Sequence, residues 1–152
     1  MNSNSLKNTI HQALVNELTE KVYNYGRTLK SMQQSKNNDT KSSAGDKFET
    51  GREMMQMEID KTEMQLNKVN FALETLNQIK NVIINEEVTL GSLVKCNTGT
   101  YYISIGHGSI KIDGKKYYAI SMVSPVGKLL MGKKKGDALI FNQNTIEIVD
   151  IG

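Results

Sequence analysis

With 152 residues, 38% of them hydrophobic and only 6% aromatic, the chain is long enough for one domain or for two small ones with modest cores. A single cysteine, Cys96, excludes an internal disulfide and, with only two histidines present, a zinc site built by this chain alone. No stretch approaches the roughly 18 consecutive apolar residues of a membrane span, and the N-terminal "MNSNSLKNTIHQ" lacks a basic start followed by an apolar run, so a soluble protein of the reducing cytoplasm is expected. The net charge of +3 divides unevenly. Residues 1–90 carry 11 Lys and Arg against 12 Asp and Glu, whereas residues 91–152 carry 8 against 4. That excess is too weak to imply direct nucleic-acid binding and suits equally a basic surface that meets an acidic protein.

From residue 5 to about 36 the apolar residues recur at helical spacing: Leu6, Ile10, Leu14, Leu18, Val22, Tyr25, Leu29 and Met32. The polar stretch "SSAGDKFETGRE", residues 42–53, interrupts this helix. Beyond it Met55, Ile59, Thr62, Leu66, Val69, Leu73 and Leu76 alternate spacings of four and three, with Ile83 completing the series. That alternation is a heptad seam, and two such helices joined by a short polar turn fold back most simply as an antiparallel coiled-coil hairpin. A second helix of this length would measure roughly 50 Å, so the turn, near residues 37–51, is expected to lie far from the remaining residues.

After about residue 86 the period changes to two and turn residues crowd in. Strands are predicted near "SLVKC", "TYYISIG", "SIKI", "KYYAISMV", "ALIF" and "TIEIVDI", with "NTGT", "DGKK" and "NQNT" as tight connections; Asp113-Gly114 is the strongest hairpin signal. Within "SPVGKLLMGKKKGD", Ser124 is placed to cap a helix, Pro125 sits at its first position, and Gly132 ends about two turns. The predicted class is therefore α+β: a hairpin over residues 1–86, then a small antiparallel β domain with one short helix over residues 87–152.

The segment "SPVGKLLMGKKKGD", Ser124 to Asp137, followed by two closing strands, resembles the stretch that marks the C-terminal domain of the bacterial transcript-cleavage factors GreA and GreB. In that family an FKBP-like domain follows an N-terminal antiparallel coiled coil, the order predicted for this chain. The resemblance implies binding of RNA polymerase at its secondary channel, with the coiled coil directed toward the catalytic centre and nascent RNA contacted indirectly. Polymerase docking is implied for the motif residues Ser124, Pro125, Gly127, Lys133, Lys134 and Lys135. The family turn carries two acids separated by two residues, often after glycine, and "GDKFE" supplies Gly45, Asp46 and Glu49. The implied role of this pair is to hold a second Mg²⁺ jointly with the polymerase's own carboxylates, stimulating cleavage of backtracked RNA without enzymatic activity of the chain's own.

Magnesium chemistry suits such a pair, because Mg²⁺ takes one or two hard carboxylate oxygens while keeping several waters. Spacing i, i+3 places both acids on one face if the second helix begins there. The same spacing also makes a capping box, and Thr50-x-x-Glu53 makes another; the two roles are compatible. The chain departs from the family pattern at "TGRE", where Arg52 stands beside the pair. Arg52 and Lys47 are candidate contacts to RNA or to the polymerase, and a non-cleaving channel regulator is the alternative function. Prolyl isomerisation follows from fold analogy alone and is disfavoured by the scarcity of aromatics. Met54, Met55 and Met57 are expected to pack within the hairpin, Cys96 at a strand end, and His107 in a turn, where a catalytic role would need a partner and His11 is placed in the other domain. The free protein is allowed to self-associate through its heptad seam.

Overall fold

A computed structural model describes residues 3–39, 46–79 and 86–152; the side chains of residues 39 and 46–49 are outside this set. Two helices, α1 (Ser3–Asp39) and α2 (Asp46–Ile79), precede strands β1 (Leu93–Cys96), β2 (Gly99–Ile103), β3 (Gly108–Ile112) and β4 (Lys115–Ile120). A short helix α3 (Pro125–Leu130) and strands β5 (Ala138–Phe141) and β6 (Asn144–Ile151) complete the chain. The protein is α+β, and it divides into two compact units, Met1–Leu14 with Glu74–Gly152, and Val15–Leu73.

In the second unit, Gln33, Lys36 and Asn37 of late α1 share a groove with Gln56, Ile59 and Glu63 of early α2, and Lys36 Nζ donates to Gln56 Oε1. The helices therefore run antiparallel along the heptad seam. Leu18, Leu29, Ile59 and Thr62 are buried, and Val22, Tyr25, Met32, Met55, Leu66, Val69 and Leu73 are half-buried. Every seam position of this unit thus faces inward. Thr62 tolerates burial because its hydroxyl donates to the Glu58 carbonyl at 2.9 Å. Met54 and Met57 do not pack as expected: they are 63% and 71% exposed, because they fall on the side of α2 opposite the seam. Ile83 lies outside the described residues.

The other unit is built on a six-stranded sheet of order β3-β4-β2-β1-β6-β5. All six expected strands form, and the three tight connections close as two-residue hairpins, Cys96 opposite Gly99, Ile112 opposite Lys115, and Phe141 opposite Asn144. Asp113 and Gly114 have φ 50° and 79°, and Asn142 and Gln143 have 50° and 67°, the positive pairs that a type I′ turn requires. The sheet is mixed, not antiparallel. After β2 the chain crosses to the sheet edge to make β3, and the β3–β4 hairpin then returns β4 into the gap beside β2, so β2 and β4 run parallel, Tyr101 opposite Tyr118.

One sheet face carries Val94, Cys96, Ile103, Leu139, Ile146 and Ile148, closed by Val88 and by Leu130 of α3. Beneath the alternation of β1 and β2, Leu93 and Tyr102 point to the opposite face. There Tyr102, 2% exposed, meets the first turns of α1 through a 2.7 Å hydrogen bond between its hydroxyl and His11 Nδ1. Ile10, Leu14, Leu76 and Ile79 of the same unit are buried.

Candidate functional sites

The first candidate site is the end of the helical unit at which α1 stops and α2 starts. The helix begins at Asp46, so Asp46 and Glu49 occupy its first turn, the condition under which their spacing puts them on one face. An acid in that turn is also favoured by the helix dipole. The side chains of Asp46, Lys47 and Glu49 lie outside the described residues, as does Gly45. Arg52 follows in the second turn and is exposed, three residues after Glu49. Among the described residues no group of three His, Cys, Asp or Glu side chains could hold a metal ion. A pair of carboxylates alone matches the donor set of a shared Mg²⁺ site, where the remaining ligands come from elsewhere.

The second candidate site is "SPVGKLLMGKKKGD", and most of its residues have architectural work. Ser124 caps α3: its hydroxyl accepts from Gly127 N–H at 3.1 Å and donates to the Ser121 carbonyl at 2.6 Å. Pro125 begins the helix, as expected. Gly127 is buried, and a β-carbon there would lie 2.1 Å from the Ser121 carbonyl oxygen, so no larger residue fits without moving backbone. Leu130 is 0% exposed in the core. The helix ends at Leu130, capped by Met131, and Gly132 follows at φ 79°.

The three lysines lie on a structured connection rather than a loose turn. Val88 N–H donates to the Lys133 carbonyl at 2.8 Å, and Gly132 N–H returns to the Val88 carbonyl at 2.9 Å. Lys134 bridges antiparallel to Glu87, with Lys134 Nζ 3.8 Å from the Glu87 carboxylate. Asp137 Oδ2 accepts from Lys134 N–H at 2.8 Å, and Gly136 N–H reaches the Ile148 carbonyl at 2.9 Å. The backbone is thus fixed while the Lys133, Lys134 and Lys135 side chains are exposed. A solvent-facing pair such as Lys134 with Glu87 contributes little to stability.

His107 lies in a bend before β3 and donates its backbone N–H to the Ile105 carbonyl at 3.0 Å, with a second bond at 3.2 Å to the Ala119 carbonyl. Cys96 ends β1, buried, as expected. Burial pushes its thiol up to about 11 and the Tyr102 hydroxyl up to about 12, so both are neutral and neither is an activated nucleophile. Tyr101 stacks on Tyr118 with ring centroids 5.5 Å apart, while Tyr102 goes to the other face.

Two features carry no sequence signal at short range. The His11–Tyr102 bond joins residues 91 positions apart. A cavity of about 620 Å³ lies between the first turns of α1, at Ser3 and Leu6, and the sheet, where Lys95, Lys115 and Tyr117 line it together with Asp113 and Asp150. With Lys116 it has three lysines against two aspartates, and Lys95 stands directly opposite Asp150. No protein-family model matches the chain, and no curated protein matches it.

Proposed function

We propose that the chain is a Gre-like transcription factor that binds RNA polymerase in its secondary channel and stimulates cleavage of backtracked RNA. The observation that carries this reading is the conjunction of two elements in one chain. An antiparallel helical hairpin starts its second helix on Asp46, with Glu49 one turn on, and a sheet unit uses "SPVGKLLMGKKKGD" to build a Ser124-capped helix and a pinned lysine connection. The helix placed between β4 and β5 and packed against a six-stranded sheet supports an FKBP-like assignment for that unit. Cytoplasmic localisation belongs to the same proposal; no described helix is long and apolar enough to cross a membrane.

On this reading the chain lends ligands to another enzyme's centre and is not itself an enzyme. Asp46 and Glu49 supply two oxygen donors from one helical turn. A Mg²⁺ held jointly by these two carboxylates and the polymerase's own would supply water activation for phosphodiester cleavage. The rigid helix positions the carboxylates, and Lys47 and Arg52 lie close enough in sequence to contact RNA phosphates or polymerase acids. In the motif, Ser124, Pro125 and Gly127 shape the connection that displays Lys133, Lys134 and Lys135 to the polymerase surface. Backtracked elongation complexes test this. Wild-type protein raises the RNA cleavage rate, and Asp46→Ala with Glu49→Ala lowers that stimulation at least about 100-fold without loss of binding; undiminished stimulation in the double variant overturns the ligand role.

The exposed Arg52, in the turn after the acids, favours a second reading, in which the protein occupies the channel and regulates transcription without cleavage. That reading requires polymerase binding and altered transcript yield that persist when both acids are removed.

A further inference from the structure

The heptad seam accounts for one side of α2, and the opposite side carries a second apolar repeat. Met57, Met64 and Phe71 are spaced by seven and are 71%, 62% and 71% exposed; Met54, one turn before Met57, is 63% exposed. Lys61 and Lys68 alternate with them, and their methylene stems extend the apolar surface while the ammonium groups reach water. The stripe exposes on the order of 400–500 Å² of apolar surface, the size that marks interaction sites rather than scattered residues. A repeat of 3.5 residues on one face is the pattern that a second α-helix is shaped to meet. Ile59 and Thr62 of the hairpin's own seam are buried, so this stripe, and not that seam, is what α2 offers outward.

The stripe is complementary to itself in one orientation. A parallel copy would set Lys61 on Lys61 and Lys68 on Lys68, like charges on a desolvated line. An antiparallel copy related by a two-fold axis at Met64 lays Met64 on Met64 and Met57 on Phe71 of the other copy, and the axis repeats the second contact. No other antiparallel register sets all three residues against large apolar partners. Moving Met57 onto Met64, for example, leaves Phe71 against Thr50 and brings Glu58 level with Glu63. In the register centred on Met64, Asp60 stands level with Lys68 of the other copy, twice by symmetry, and Lys61 stands level with Asn67. No like charges share a level along the stripe. The Asp60 carboxylate is steadied by Gln56, whose amide donates to Oδ1 at 2.8 Å, and a carboxylate accepts further donors. Methionine sulfur against an aromatic ring adds to both Met57–Phe71 contacts.

We propose that the chain pairs with a second copy of itself through the Met54–Phe71 stripe of α2, antiparallel and two-fold about Met64. The pairing stands on the stripe and its charges, and not on the function proposed above. Two such faces bury together about 800–1,000 Å², below the roughly 1,200 Å² at which stable complexes begin. The dimer is therefore weak and reversible, with a Kd on the order of 10–100 µM. At concentrations well below that range the stripe faces water.

Sedimentation equilibrium of the full-length chain, from well below to well above that concentration range, tests the pairing. Wild type is expected to pass from monomer to dimer. Met64→Glu, which sets two carboxylates together at the axis, is expected to weaken association at least about tenfold. Lys68→Glu, which then faces Asp60, is expected to weaken it severalfold, and Asp60→Lys combined with Lys68→Glu reverses both partners and restores it. Circular dichroism confirms helicity, which exposed substitutions leave intact. Mild oxidation of cysteine variants reads the register. Met64→Cys is expected to cross-link to itself, whereas Met57→Cys is not, because its two copies lie about 21 Å apart along the helices; Cys96 is buried and stays out of the reaction. Wild type that remains monomeric throughout overturns the proposal, as does a dimer that Met64→Glu leaves intact. Failure of the double reversal to restore association, or cross-linking through Met57→Cys, overturns the antiparallel register.

Discussion

The sheet unit and the helical hairpin spend their residues differently. In the sheet unit much of "SPVGKLLMGKKKGD" is tied down by a cap, a steric limit, a core contact or a backbone hydrogen bond, while Pro125, Leu129 and the lysine side chains are exposed. In the hairpin a single seam is buried and the rest of the described surface, five large hydrophobic side chains among it, faces outward. A specific motif therefore need not be a contact surface: here it is chiefly the recipe for a small rigid platform. The chemistry proposed for the protein sits instead on the simpler element, whose sequence is constrained only along one face.

That contrast is broken most severely if core and stripe substitutions behave alike. Leu130→Ala, which empties a fully buried position against the sheet, should cost about 2–5 kcal/mol in urea unfolding. Met57→Ser, on the outer face of α2, should stay within about 0.5 kcal/mol of wild type. Similar losses for the two would mean that the hairpin's outer face is structural.

Alkaline pH sharpens the comparison with a somewhat smaller effect, because the two strongly raised groups both lie in the sheet unit. The Cys96 thiol is lifted from its ordinary 9.0 to about 11 and the Tyr102 hydroxyl from 10.0 to about 12, each by burial. Folded values above unfolded ones mean that the folded state holds these protons more tightly. The stability is fully present below pH 9 and is lost as pH rises through 11 and 12. Lys7 runs the other way: burial lowers its folded value, so its charged-state penalty is relieved as pH rises. The net expectation is a loss of about 2–4 kcal/mol between pH 8.5 and 11 in urea midpoints; a flat profile would show that the two groups are solvated.

Smallest of the three is Tyr102→Phe. It removes the hydroxyl that bonds His11 Nδ1 at 2.7 Å while keeping the ring, and should cost about 1–2 kcal/mol. Amide exchange should register the loss in the first turns of α1 as well as in β2. Protection unchanged in α1 would show that the apolar contacts of Ile10 and Leu14 hold those turns without the bond.

Much of the fold was legible in the sequence because it is set by local rules. Alternation marked all six strands, Asp113-Gly114 and the other turn dipeptides marked the hairpins, and Ser124-Pro125 marked the start of α3. The seam positions were fixed by a period of 3.5, down to the anomalous Thr62, which satisfies its own hydroxyl within the helix. What was not legible is what depends on distant residues. No local signal distinguishes a meander from the insertion of β4 beside β2, and none ties His11 to Tyr102. The exposure of Met54 and Met57 had a signal that lay unused: Met57, Met64 and Phe71 repeat every seven residues out of phase with the seam. For the candidate site, sequence reached the acid pair, and the structure adds that α2 starts on Asp46. It adds also that Gly127 is buried and that the Ser124 hydroxyl is engaged, whereas Pro125 and the three lysines are exposed.

The central claim is that Asp46 and Glu49 complete a metal site in another enzyme. Its most direct test is the Mg²⁺ dependence of RNA cleavage in backtracked polymerase complexes, with wild type and with Asp46→Ala, Glu49→Ala protein at saturating, independently measured binding. The account predicts that wild type accelerates cleavage and lowers the Mg²⁺ concentration needed for half-maximal rate, and that the bound double variant does neither. Equal acceleration by the two proteins, or none by wild type while it is bound, would contradict it.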